Sequence, residues 1–116
     1  MEITIVSLAG EFAQGKPLRP VAEEIPLPAE IVEPDRDLLF RVGKKIEEAR
    51  RGDYLLVELR TRVHTGEYVL ASDAKERLYL GRWWAKHGKR ELQDKHGKVI
   101  LEAPTVVGVV NMIVRL

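Results

Sequence analysis

Apolar residues come along this chain in short bursts cut by glycine, proline and charge, the pattern of a protein built from strands. Ile3–Leu8, rich in β-branched residues, reads as a first strand. Gly10 and Gly15-Lys16-Pro17 then break the chain. Five prolines between residues 17 and 34 forbid a long helix or a central strand. That segment reads as an extended arm with at most a helical turn at Ala29–Val32. Leu38–Val42 reads as a short buried strand. Lys44–Arg51 is the helix candidate, with Glu47 four residues before Arg51 and Gly52 as its stop. Asp53–Leu59 follows as a strong strand with Leu55, Val57 and Leu59 on one face.

The second half repeats the theme. His64–Glu67 is turn material, and Glu67–Ala71 pairs with Glu76–Trp84 around Ser72-Asp73-Ala74-Lys75. Lys86–Lys89 and Asp94–Lys98 each place a glycine where a tight turn needs positive φ, which sets Arg90–Gln93 and Lys98–Glu102 as further strands. Thr105–Leu116 is long and apolar on both faces. The predicted fold is mostly β with one short helix, a sandwich or partly open barrel. At 116 residues it is one domain, a first strand and proline-rich arm over 1–34 and a core over 35–116.

Composition narrows the chemistry. With no cysteine there is no disulfide framework, no thiolate and no cysteine-ligated metal. No apolar run reaches the length of a spanning helix, and MEITIV has no basic n-region, so no membrane contact and a cytoplasmic protein are expected. Scarce Asn and Gln among dense charge fit a thermophile. Charge is also uneven. Residues 1–40 carry eight acids against three bases, net −5, and residues 82–98 carry six bases against two acids, net +4.

Several short motifs stand in a telling order: Leu8-Ala9-Gly10-Glu11-Phe12-Ala13-Gln14-Gly15-Lys16-Pro17, then IPLPAEIVEPDRDLLFRV, then Gly52-Asp53-Tyr54-Leu55-Leu56-Val57, Gly66-Glu67-Tyr68-Val69-Leu70-Ala71 and Val107-Gly108-Val109-Val110. Together they resemble the LexA/UmuD/phage-repressor family, self-cleaving peptidases with a Ser–Lys dyad. The resemblance implies a LexA-like, signal-peptidase-like fold with the vestige of a cleavage site at Gln14–Gly15. It also puts the dyad positions near Gly43 and Leu80. A dyad needs a hydroxyl within hydrogen-bond reach of a neutral amine. Glycine offers no nucleophile and leucine no base.

The resemblance thus implies a catalytically inactive domain, an interaction or dimerisation module in transcriptional or stress-response regulation. It further implies a homodimer through the C-terminal strand, with Val107, Val109, Val110 and Met112 at the interface. A heteromeric partner would be a helix-turn-helix protein or an intact LexA-type protein. The family's N-terminal helix-turn-helix is not expected here, because the chain opens on the first strand.

Other constellations weigh less. Ser72 and Lys75 fit an S-x-x-K pattern, but in a charged hairpin tip they are ordinary turn residues. His64, His87 and His96 stand in separate polar turns at no ligand spacing, so no metal and no cofactor are expected. Arg82, Trp83, Trp84, Lys86, Lys89 and Arg90 interleave bases with aromatics, the composition of a single-stranded nucleic-acid surface. Neighbours on a strand face opposite ways, however, so one tryptophan should enter the core and one stay outside. Nucleic-acid binding is the alternative function.

Overall fold

The computed structural model describes residues 1–116. Its strands are β1 (Ile3–Phe12), β2 (Lys16–Pro17), β3 (Glu24–Pro28), β4 (Asp37–Val42) and β5 (Tyr54–Glu58). The rest are β6 (Tyr68–Ser72), β7 (Arg77–Lys86), β8 (Lys89–Gln93), β9 (Val99–Glu102) and β10 (Thr105–Val114). They form one ten-stranded sheet in the order β3-β1-β4-β5-β10-β6-β7-β8-β9, with β2 on β7. Every pairing is antiparallel except β1 with β4. No helix is long and apolar enough to cross a membrane.

The two-residue strand β2 decides the shape. Lys16 lies opposite Leu78 of β7, while Arg19 bridges back to Glu11 of β1. The sheet therefore curls until its early and late strands face each other, a partly open, mostly β barrel. Alternate residues of its strands fill the inside: Phe12, Phe40, Val42, Leu55, Val57, Leu70, Leu78 and Leu80. Leu39 and Leu56 turn the other way and pack with Leu8, Ile25, Leu27 and Val114 beneath the β1–β3 ribbon. A third cluster joins Val69, Ala71, Trp83, Leu92 and Val109.

Three expectations need correction. Lys44–Arg51 is not a helix: Ile46 and Ala49 exchange backbone hydrogen bonds of 3.0 and 2.9 Å across a reverse turn, with Glu47 at φ 50°. Eight residues with two apolar positions cannot sustain a helix, whereas the turn drops Ala49 fully into the barrel core. The only helical element is the single 3-10 turn Ala29–Ile31, inside the expected Ala29–Val32. The proline-rich arm is not merely extended either, because Glu24–Pro28 pairs with β1 as β3. Ile25 and Leu27 face the core in the alternate positions between Glu24, Pro26 and Pro28. Glu2 and Leu8 bond to Ala29 and Glu23, a phase that leaves Pro26 and Pro28 with their missing N–H groups toward the outer edge. An edge that lacks two of its donors resists further strand addition.

The third correction concerns the C-terminal strand. A dimer strand would be looked for at a sheet edge, but β10 lies between β5 and β6 with both backbone rims paired. Val109 is buried, and Val107 and Val110 pack against the barrel core, which leaves Met112 as the exposed member of the four. A strand apolar on both faces fits the middle of a two-layered sheet. Register shifts at Val107 and Asn111 let it serve all three clusters. Leu59 lies just beyond β5 and is exposed, unlike Leu55 and Val57.

Candidate functional site

Gln14, Gly15, Gly43 and Leu80 come from three distant stretches, and hydrogen bonds through Phe12 and Gln14 link them. β1 delivers Phe12, whose carbonyl accepts the Gly43 N–H at 2.7 Å just past the end of β4. The chain then turns through Ala13–Lys16, with Gly15 at φ 72°, and its N–H donates to the Leu78 carbonyl at 2.8 Å. Between these points the Gln14 carboxamide meets β7 edge-on. Its Nε2 donates to the Leu80 carbonyl at 3.1 Å, and its Oε1 accepts the Leu80 N–H at 2.8 Å. A side-chain amide has the same donor and acceptor as a peptide group. Gln14 thus adds one rung to the β2–β7 ladder.

The chemistry available there is limited. Leu80 is fully buried in the barrel core. A Cβ on Gly43 would lie 2.8 Å from Glu11 Oε1 and 2.9 Å from its Cγ, so any side chain at that position displaces Glu11. Neither serine is at hand, because Ser7 lies on the ribbon and Ser72 on β6 against Leu78 and Thr105. Ser72 and Lys75 flank the β6–β7 turn, where Asp73 is the organiser. Its carboxylate accepts the Lys75 N–H at 2.9 Å, the Arg77 N–H at 3.0 Å and Arg77 Nε at 2.6 Å. Burial pushes that carboxyl up, but the Arg77 amide and guanidinium outweigh it and hold it at about 2.

The basic segment divides along β7. Trp83 is buried with Leu92 and Val109, while Trp84 keeps 39% of its surface exposed. On the outer face Trp84 stands opposite Glu91 and Lys86 opposite Lys89, across a two-residue turn with His87 at φ 52° and Gly88 at φ 75°. Trp84, Lys86, His87, Lys89 and Glu91 line a shallow depression of about 360 Å³. Arg90 opposes Ala85 on the other face and is exposed as well. Arg82 lies back over the Tyr68 ring, 4.8 Å from its centroid. The ion pairs of the molecule are all made by arginines, so every lysine is free of a carboxylate partner.

Two polar centres carried no sequence signal. The Tyr68 hydroxyl donates to Glu47 Oε2 at 2.8 Å, and Lys95 N–H donates to Glu47 Oε1 at 3.2 Å. Burial pushes the Tyr68 hydroxyl above the usual phenol range, and the Glu47 carboxylate adds to the rise. Asp53, at the start of β5, accepts Arg115 Nε and Nη2 at 2.9 and 2.8 Å and the Arg50 N–H at 2.8 Å. The Arg115 guanidinium, helped by that amide, holds its carboxyl down at about 2. Both centres join residues too far apart in sequence for any spacing rule. No group of three His, Asp or Glu side chains is placed to hold a metal ion. No protein-family model matches the chain, and no curated protein matches it either.

Proposed function

We propose that this is a LexA-like peptidase-fold domain without catalytic activity, serving as an interaction module in transcriptional or stress-response regulation. The observation that carries the reading is the gathering of four residues the resemblance singles out. Gln14–Gly15, at the vestigial scissile bond, sits directly on Leu80, at the position of the dyad's lysine. Gly43, at the position of its serine, bonds to Phe12 two residues upstream of Gln14. A cleavage segment seated on its dyad would look this way with the serine and lysine replaced. The Gln14 carboxamide then serves as a staple that holds the turn against β7.

Peptide cleavage by a dyad needs an amine that can lose its proton. A competent domain would therefore cut itself faster at a pH of about 9 to 10, where a lysine amine starts to deprotonate. Prolonged incubation in that range, followed by intact-mass spectrometry, should return only the full-length chain. A cut between Gln14 and Gly15 would overturn the reading.

A further inference from the structure

We infer that this chain associates head to tail with further copies of itself, an acid-rimmed apolar ribbon at one end seating on the exposed tryptophan and lysines at the other. The first face lies on the β1–β3 ribbon. Val6, Ile25 and Leu27 turn inward, so Ile3, Ile5 and Pro26 turn out, and Ile3 and Ile5 keep 54% and 58% of their surface in solvent. Glu24 closes this row on the same face, and its carboxylate is in no ion pair. Contiguous exposed isoleucines are uncommon on a surface that meets only water.

The second face is the outer side of the β7–β8 hairpin. Trp84 supplies an apolar plate, and Lys86 and Lys89 stand beside it across the same turn. The two faces match in chemistry: aliphatic against indole, the unpaired Glu24 carboxylate against unpaired ammonium groups. Like faces repel, so a two-fold pairing of either face with itself is disfavoured, and the unlike pairing is the favourable one.

Placement permits it. Lys16–Arg19 lies antiparallel to both β1 and β7, so those two strands run in the same direction. They meet at the level of Gln14 and Leu80. The start of β1 and the end of β7 therefore point toward opposite ends of a molecule 46 Å long and 24 Å across. One copy cannot satisfy its own two faces, and a heterologous contact of this kind propagates into rings or filaments. Prolines on the outer rim of β3 mean that the contact uses side-chain faces and not strand addition. Nucleic acid is the poorer occupant of the hairpin face, because Glu91 stands directly opposite Trp84 where a phosphate would have to pass.

This inference is independent of the reading of Gln14–Gly15, since self-cleavage would sink that reading and leave this one standing. Sedimentation velocity on the full chain at low salt should show mass rising with concentration, and added salt should return it to monomer. Lys86→Glu with Lys89→Glu, and separately Glu24→Lys, should each give monomers whose circular dichroism matches the parent. Mixing the two variants in equal amounts should restore association, because both the native and the reversed contacts are then complementary. A parent that stays monomeric at high concentration overturns the inference. So does a mixture of the two variants that stays monomeric. Quenching of Trp84 by a single-stranded oligonucleotide, lost on Lys86→Glu with Lys89→Glu while the parent remains monomeric, would assign the face to nucleic acid instead.

Discussion

The two halves of β7 share one backbone and have opposite fates. Arg77–Gly81 is held on both rims, by β6 on one side and by β2 with the Gln14 carboxamide on the other. Its inward residues Leu78 and Leu80 sit in the barrel core. Arg82–Lys86 pairs instead with β8 and with the Thr65–Glu67 turn, and Arg82, Trp84 and Lys86 face solvent. The exchange of partners happens at Gly81, where a Cβ would lie 2.9 Å from the Gln93 carbonyl. The first half has spent its hydrogen-bonding and apolar capacity inside the domain. The second has an indole and unpaired cations left over, and that surplus is what a partner can use.

Substitution on the two halves should separate them sharply. Leu80→Ala removes a fully buried side chain from a packed core, so a loss of about 2–5 kcal/mol is expected in urea unfolding. Trp84→Ala on the projecting half should move the same midpoint much less. Comparable losses would mean that the hairpin is as integral to the fold as the barrel.

The next effect in size belongs to the staple. Gln14→Ala leaves the Leu80 N–H and carbonyl without their partners at a half-buried position, a cost of about 1–3 kcal/mol. Gln14→Glu is the sharper variant. A carboxylate still accepts from the Leu80 N–H but cannot donate to its carbonyl, so part of the loss should return on acidification. A neutral result for both would show that β2 alone holds the turn.

Acid should act mainly through the closed part of the molecule. Asp53 is buried and its carboxyl is held at about 2, against an ordinary value of 3.8. A carboxyl lowered on folding contributes stability above its unfolded pKa and loses it as pH falls through the folded one. Urea midpoints should therefore decline between pH about 4 and about 2. Asp53→Asn, or Arg115→Gln, should lower the midpoint at neutral pH and flatten that decline. An unchanged slope in both variants would remove the Asp53–Arg115 pair from the acid response.

How much of this was legible beforehand follows from the range of the forces involved. The strands after Gly52 were readable because hairpins are local: alternation sets the faces, and glycines at the tips of Lys86–Lys89 and Asp94–Lys98 set the turns. The split between Trp83 and Trp84 followed from the pleat alone. Lys44–Arg51 misled because charge spacing and a trailing glycine suggest a helix, while tertiary burial of Ile46 and Ala49 chose a turn. β3 was missed because proline lowers strand propensity everywhere except at an outer rim, and no local pattern tells a rim from an interior. Two-sided apolarity marked β10 as unusual without saying whether its cover came from this chain or another. Gln14 was singled out for its peptide bond, yet its carboxamide is the group in use, and only the β2–β7 register reveals it.

The smallest expected effect gives the finest test of the contrast. His87 and Gly88 both take positive φ in the two-residue turn that joins β7 to β8, and no atom lies within 4 Å of the Gly88 Cβ position. Gly88→Ala therefore adds backbone strain of about 1 kcal/mol without a clash. If the projecting half opens independently of the barrel, that strain falls on the local opening equilibrium. Amide exchange should then quicken for Trp84 and for Glu91–Gln93, while Leu80 and Leu70 exchange as before. The urea midpoint should barely move. Uniform acceleration across all six amides would mean that β7 unfolds as one unit, and the division of the strand at Gly81 would be a matter of contacts only.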